Sequence, residues 1–96
     1  MSTHTDPLNI VHRPDIGRFE AIVDGLQSEA DYQLDGQVVR MTHTGVPPQL
    51  EGRGIAAALV KAALTWARGQ GYKVEPLCSY VQLYLKRHPE WQDLVV

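Results

Sequence analysis

The sequence predicts an α/β (α+β) domain, on three observations. Apolar and polar residues alternate with period two up to Val46, one long stretch then repeats at spacings of three and four, and a short apolar-centred segment follows a glycine stop. Strands linked by tight turns pair antiparallel, whereas a strand reached through a helix returns parallel to the one before it. The expected order is therefore an antiparallel meander of three or four strands, a crossover helix, a parallel strand and a C-terminal helix, in one compact unit.

Residues 1–15 carry Pro7 and Pro14 without a sustained period. They read as a flexible N-terminal arm with a short edge strand at Ile10-Val11-His12, and residues 16–96 as the single domain. From Arg18 to Val23, Phe19, Ala21 and Val23 alternate with Arg18 and Glu20, and Asp24-Gly25 supplies a hairpin turn. Ala30, Tyr32 and Leu34 then alternate with Asp31, Gln33 and Asp35, and Asp35-Gly36 marks a second hairpin. The strand from Val38 to Thr44 places Val39, Met41 and His43 on one face by simple alternation, with Val38, Arg40, Thr42 and Thr44 on the other. Pro47-Pro48 ends it, because two prolines supply no N–H to a ladder, and the edge there is expected to stay open.

From about Gly52 to Arg68 the period becomes helical, with Ile55, Leu59, Ala62, Ala63 and Trp66 on one stripe. Gly69-Gln70-Gly71 caps this helix, and Tyr72-Lys73-Val74-Glu75 reads as the buried parallel strand. Pro76 stops it. Ser79-Tyr80-Val81-Gln82 has the form of a capping box, so a second helix is expected from Ser79 to just before Pro89. Trp91, Leu94 and Val95 are expected to fold back onto the body.

Bulk composition narrows the function. The 96 residues hold nine basic and eleven acidic side chains, a net charge of -2, without the basic stripe that nucleic-acid binding needs. No apolar run has signal-peptide or membrane-spanning length, and Cys78 is the single cysteine, which excludes an internal disulfide. A cytoplasmic, reducing location is the expectation. His4, His12 and His88 show no metal-ligand spacing with Cys78 or one another, so no metal is expected, and a solvated or capping role is the default.

Three places could carry chemistry. In Gln49-Leu50-Glu51-Gly52-Arg53-Gly54 a strand passes into a helix over two glycines, which bare the backbone N–H groups to an anion at the positive end of a helix dipole, with Arg53 as an added cation. Two glycines can equally make a tight turn that binds nothing. The segment lacks the lysine-serine pair of a Walker loop and the third glycine of a dinucleotide fingerprint, which disfavours nucleotide hydrolysis. Cys78 precedes a helix start, where a thiol can be acidified into a nucleophile; a free cysteine is also commonly a small buried hydrophobe. His43, at the end of its strand, is a possible base or a structural group.

The pattern Q-x-x-G-x-G after a proline-broken strand resembles the cofactor motif of the GNAT acyltransferase superfamily. Together with His43-Thr44-Gly45-Val46-Pro47, Pro76-Leu77-Cys78-Ser79-Tyr80-Val81 and His88-Pro89-Glu90, it looks like the small YjdJ-type branch of N-acetyltransferase domains, over roughly residues 17 to 95. The resemblance implies a compact GNAT-like fold that binds acetyl-coenzyme A at a split between two parallel strands and transfers acetyl to an acceptor such as a small amine or a protein lysine. Carried over by resemblance, the amides of Gly52, Arg53, Gly54, Ile55 and Ala56 would hold the pyrophosphate, with Gln49 of the same motif also cofactor-binding. Thr44 and Val46 would pair with the pantetheine arm, and Cys78 and His43 would act at the thioester. Tyr84 lies where broader members place a tyrosine that protonates the leaving thiolate, and an ordinary core tyrosine is an equal reading. Gly45 stands where relatives often have glutamate and Ser79 where they often have proline. The rival reading is a coenzyme A-binding regulatory module with little or no turnover. A monomer or weak dimer is expected.

Overall fold

The structure, a computed structural model, describes residues 8–96. His4 and the first part of the expected arm lie outside the described residues. Five strands, β1 (Ile10–Arg13), β2 (Arg18–Val23), β3 (Leu26–Asp35), β4 (Val38–Gly45) and β5 (Lys73–Pro76), form one sheet in chain order. The first four pair antiparallel and β4–β5 is parallel. Helix α1 (Ile55–Gln70) makes the crossover, and α2 (Ser79–Arg87) and a 3-10 segment Pro89–Leu94 follow β5.

The expected edge strand is present as β1, and it ties the chain to the sheet from Ile10 onward, so the loose-arm expectation is corrected for these residues. The reason is aromatic packing. His12 stacks on Phe19 with centroids 4.0 Å apart, meets Trp66 edge-on at 4.7 Å, and its Nε2 lies 2.6 Å from the Tyr32 hydroxyl. His12 is thus a packed side chain, correcting the solvated or capping default. His88 does stand at the end of α2, stacked on Tyr84.

Both helices cover the same face of the sheet. Phe19, Ala21, Ala30, Tyr32, Val39, Met41 and Val74 point inward and are buried against Leu59, Val60, Leu64 and Val81. Trp91 and Leu94 close the far end as expected, and Val95 bridges to Val74. The opposite face is held by cross-strand ion pairs: Arg13 to Glu20 at 2.7 Å, Arg18 to Asp31 at 2.7 Å and Arg40 to Glu75 at 3.0 Å. An antiparallel sheet with one wet face takes this alternation, and paired charges let that face meet water.

One irregularity changes the expected faces. Tyr32 pairs with Met41 and Asp31 with His43, so Thr42 is an extra residue in β4 without an opposite number. Such a bulge shifts the alternation by one. His43 therefore leaves the Val39–Met41 face and joins Asp31 on the outer face, while Thr44, opposite Ala30, turns to the helical side. The expected grouping of His43 with Met41 is corrected accordingly.

The start of α2 is corrected too. Cys78, with extended φ/ψ, is the N-cap, not Ser79, and the Gln82 side chain donates to the Pro76 carbonyl at 3.0 Å instead of closing a capping box. Helix α1 begins at Ile55, after Gly54 in the left-handed conformation, and Gly71 ends it in the same conformation.

Burial lowers the His12 pKa below its ordinary 6.5. The folded state then binds fewer protons than the unfolded chain, so this contribution to stability is full above the unfolded value and is lost as pH falls through the folded one. Relative to His12→Phe, which keeps the stacked ring, the wild-type Tm should fall as pH drops below 6.5; parallel curves by scanning calorimetry would refute the assignment.

Candidate functional site

The site is made where β4 outruns β5. Their ladder extends from Val38↔Lys73 to Met41↔Pro76, yet β4 continues to Gly45 along β3. At the parting, the Met41 carbonyl accepts the amides of both Leu77 and Cys78, each at 3.0 Å, and the chain turns into α2. Past Met41, β4 has lost its β5 neighbour, and its backbone can pair with another extended molecule. Pro47 and Pro48 then carry the chain into a 3-10 turn, Pro48–Leu50, which leads to α1.

Gly54 caps α1 at φ 79° and ψ 14°, without a side-chain cap hydrogen bond. The first intrahelical bond is from Ala58 N–H to the Gly54 carbonyl, so the amides of Ile55, Ala56 and Ala57 are left without partners in the helix. The first turn also carries no acidic residue. Those amides and the positive end of a 16-residue helix make a site for an anion.

A cavity of ≈ 530 Å³ lies between this helix start and the end of β4. Of the residues expected for a cofactor, Thr44, Val46, Gly52, Gly54, Ile55 and Ala56 line it. Gln49 and Arg53 do not: Gln49 is exposed, and Arg53 points to Asp24 on the β2–β3 hairpin with Nη1 3.0 Å from its carboxylate. The anion site is therefore built of backbone amides. Leu50 and Glu51, within the glycine segment but given no role of their own, also line the cavity, as do Gly45, Ala57 and Tyr80, which sequence reasoning did not assign to it. Leu50 and Ile55 are core residues as well as wall. The Tyr80 hydroxyl is held above its ordinary pKa by burial and stays a neutral donor.

Thr44 and Cys78 meet behind the cavity, Oγ1 to Sγ at 3.5 Å. Burial pushes the Cys78 thiol up and is the largest single influence. The Thr44 hydroxyl, with the amides of Val81, Tyr80 and Thr44 turned toward the sulfur, outweighs it, and the thiol lies below its ordinary value. The Val81 and Tyr80 amides act as a helix start does on a nearby thiol, and Thr44 adds the larger influence from β4.

His43 is on the other side of the sheet, its side chain 56% exposed and its Nε2 3.1 Å from Glu29 Oε2. The structure thus brings Thr44 to Cys78 and leaves His43 on the outer face beside the same strand end. Tyr84 is buried against His88, with its pKa raised chiefly by burial, as a core tyrosine. Among the described residues no three or more His, Cys, Asp or Glu gather to hold a metal ion, and no helix is long and apolar enough to cross a membrane.

Comparison with known proteins adds what geometry alone does not. Residues 18–94 match the family model described as GCN5-related N-acetyl-transferase. The chain is similar to protein NATD1 of Mus musculus and of Gallus gallus, in each case 34% identical over 86 residues that cover 86% of this chain and 78% of the relative. It also superimposes on the solution structure of a GCN5-like N-acetyltransferase candidate from Staphylococcus aureus. That match has a TM-score of 0.75 and 26% identity, over 96% of this chain and 91% of the other.

Removing the Thr44 hydroxyl takes away the foremost influence that lowers the Cys78 thiol. Thr44→Val should move the pH profile of Cys78 alkylation by iodoacetamide to higher pH; an unmoved profile would show that Thr44 does not act on the sulfur.

Proposed function

The chain belongs to the GCN5-related N-acetyltransferase family, and from that premise we propose that it binds acetyl-coenzyme A in the cavity between β4 and α1 and transfers the acetyl group to an amine. The observation that carries this reading is an acid-free helix start, with its amides unpaired in the helix, opening on a cavity that runs to the β5-free end of β4.

In this reading the amides from Gly54 to Ala57 take the pyrophosphate, and the backbone of Thr42–Gly45 pairs with the pantetheine amides as an added strand would. The thioester then ends near the parting of β4 and β5, where Cys78 and Thr44 lie. Cys78, acidified by its surroundings, is the candidate nucleophile, and backbone donors at the strand split would stabilise the oxyanion. The thioester is already activated, so the protein's part is to hold and polarise it. A reducing, cytoplasmic setting suits a cysteine that works as a thiol.

A second reading is a coenzyme A-binding module with little turnover. The placement of His43 and Cys78 on opposite faces of the sheet favours it, since the two do not form a nucleophile–base pair.

Acetyl-coenzyme A at about 100 times its Kd should stabilise the fold by about 2.7 kcal/mol, read as a rise in Tm. Ala56→Asp separates this from general stabilisation. A carboxylate in the first turn should add about 0.3–1 kcal/mol to the unliganded protein while suppressing the ligand-induced shift; no shift in the wild type would sink the coenzyme A reading. Mass spectrometry after incubation with acetyl-coenzyme A should find acetyl on Cys78, absent in Cys78→Ala. Binding with neither acetyl-Cys78 nor thiol release to any amine would favour the binding module.

A further inference from the structure

On the outer face of the sheet, β3 and β4 set three groups together at the end of the strand split: Glu29, His43 and Gly45. Glu29 pairs with Gly45 across the ladder, and the Glu29 carboxylate meets the His43 ring. A Cβ built on Gly45 would collide with Glu29 Oε2 and would stand 2.9 Å from His43 Nε2. The space that a side chain at position 45 would fill is occupied by a carboxylate from the neighbouring strand.

The charges on that face single out this carboxylate. Glu20 is held by Arg13, Asp31 by Arg18 and Glu75 by Arg40. Among the described outer-face carboxylates, Glu29 alone is paired with an imidazole instead of a guanidinium. It stands directly opposite Glu20 in the β2–β3 register, a like-charge cross-strand pair that works against stability. Arg18 attracts Glu29 from a distance as well as binding Asp31, but among the described residues the side chain that Glu29 meets at hydrogen-bond distance is His43. The charged groups that face His43 are Glu29 and Asp31 from β3, with Arg18 of β2 bound to Asp31.

Resting on the acetyl-transfer reading above, we propose that Glu29 is the positioning carboxylate of the reaction: it holds His43, which takes a proton from an acceptor ammonium arriving on the outer face. Cofactor and acceptor then approach from opposite sides of the sheet and meet at the parting of β4 and β5. His43 Nε2–H donates to Glu29, leaving Nδ1 as the base. The ammonium R–NH3+ gives one proton to Nδ1, and the Glu29 carboxylate stabilises the resulting imidazolium. The freed amine lone pair forms the N–C bond to the thioester carbonyl and the C–S bond breaks. The second proton passes from that nitrogen to the departing thiolate, giving R–NH–CO–CH3 and a thiol, and His43 releases its proton to water. A cationic acceptor fits a site whose one carboxylate without an arginine faces it.

The test exchanges the carboxylate between strands. Glu29→Ala should lower kcat for amine acetylation on the order of 10²-fold, with KM for acetyl-coenzyme A unchanged. Gly45→Glu in that background puts a carboxylate back beside His43 and should restore most of the rate, a rescue that a merely structural Glu29 would not give. Nitrogen-15 shifts of the imidazole should report an Nε2–H hydrogen-bonded to a carboxylate in the wild type, loss of that hydrogen bond in Glu29→Ala and its return in the double variant. The ligand-induced Tm shift is measured on all three proteins. Absence of the shift in the wild type defeats the coenzyme A reading itself. A normal shift with undiminished turnover in Glu29→Ala, or with failed rescue, overturns the role of Glu29 alone, whereas a normal shift with no amine acetylated by the wild type defeats the acetyl-transfer reading and the role of Glu29 with it.

Discussion

The carbonyl of Met41 is the point on which the structure turns. By accepting two successive amides, from Leu77 and Cys78, it ends the β4–β5 ladder and aims the chain into α2 with Cys78 as its first cap. A parallel ladder that continued would have filled the edge of β4 with backbone and left nothing for an extended ligand to pair with. Pro76, the last residue of β5, has no N–H to give, so the strand ends there without leaving a buried donor unpaired. The second strand boundary is set the same way by Pro47 and Pro48.

Where the sequence was legible, a residue type had only one thing it could do. Asp24 and Gly25 both adopt positive φ at a hairpin, Gly54 and Gly71 bracket α1 in the left-handed conformation, and the prolines stop strands. Phe19, Ala21, Ala30, Tyr32, Ile55, Leu59 and Ala63 are core as their stripes require, and so are Trp91 and Leu94, whereas Leu34 is exposed and the α1 stripe left out the buried Val60, Leu64 and Ala67. What was not legible is equally specific. A bulge at Thr42 leaves no mark on composition or period, because a threonine suits a regular strand position as well as an extra one. It nonetheless exchanges the faces of His43 and Thr44. The Ser79 capping box failed because Cys78 reached the cap first and the Gln82 amide had a carbonyl, Pro76, within reach. Arg53 was read by its place beside two glycines, whereas Asp24, 29 residues earlier in the chain, decides where its guanidinium goes.

The single layer of helices gives the two faces of the sheet different solvents. The inner face is dry and holds the cavity, the helix dipole and the thiol. The outer face carries its ion pairs in water, where each contributes little to stability but the set keeps the bare sheet soluble. Chemistry that needs an apolar anchor for one reactant and a charged landing surface for the other can be divided between these faces, and the split between β4 and β5 connects them.

Leu50 and Ile55 belong at once to the core and to the cavity wall. In a larger protein an intervening shell of residues can absorb a substitution near the site before it reaches the interior. Here, among the described residues, Leu50 and Ile55 are core and wall at once, with nothing between. Drift in ligand preference and drift in folding robustness are therefore drawn from the same few side chains, and a lineage of this domain has little freedom to change one without the other. Variation is better tolerated on the outer face away from Glu29, His43 and Gly45, where neither the cavity wall nor the proposed base is at stake.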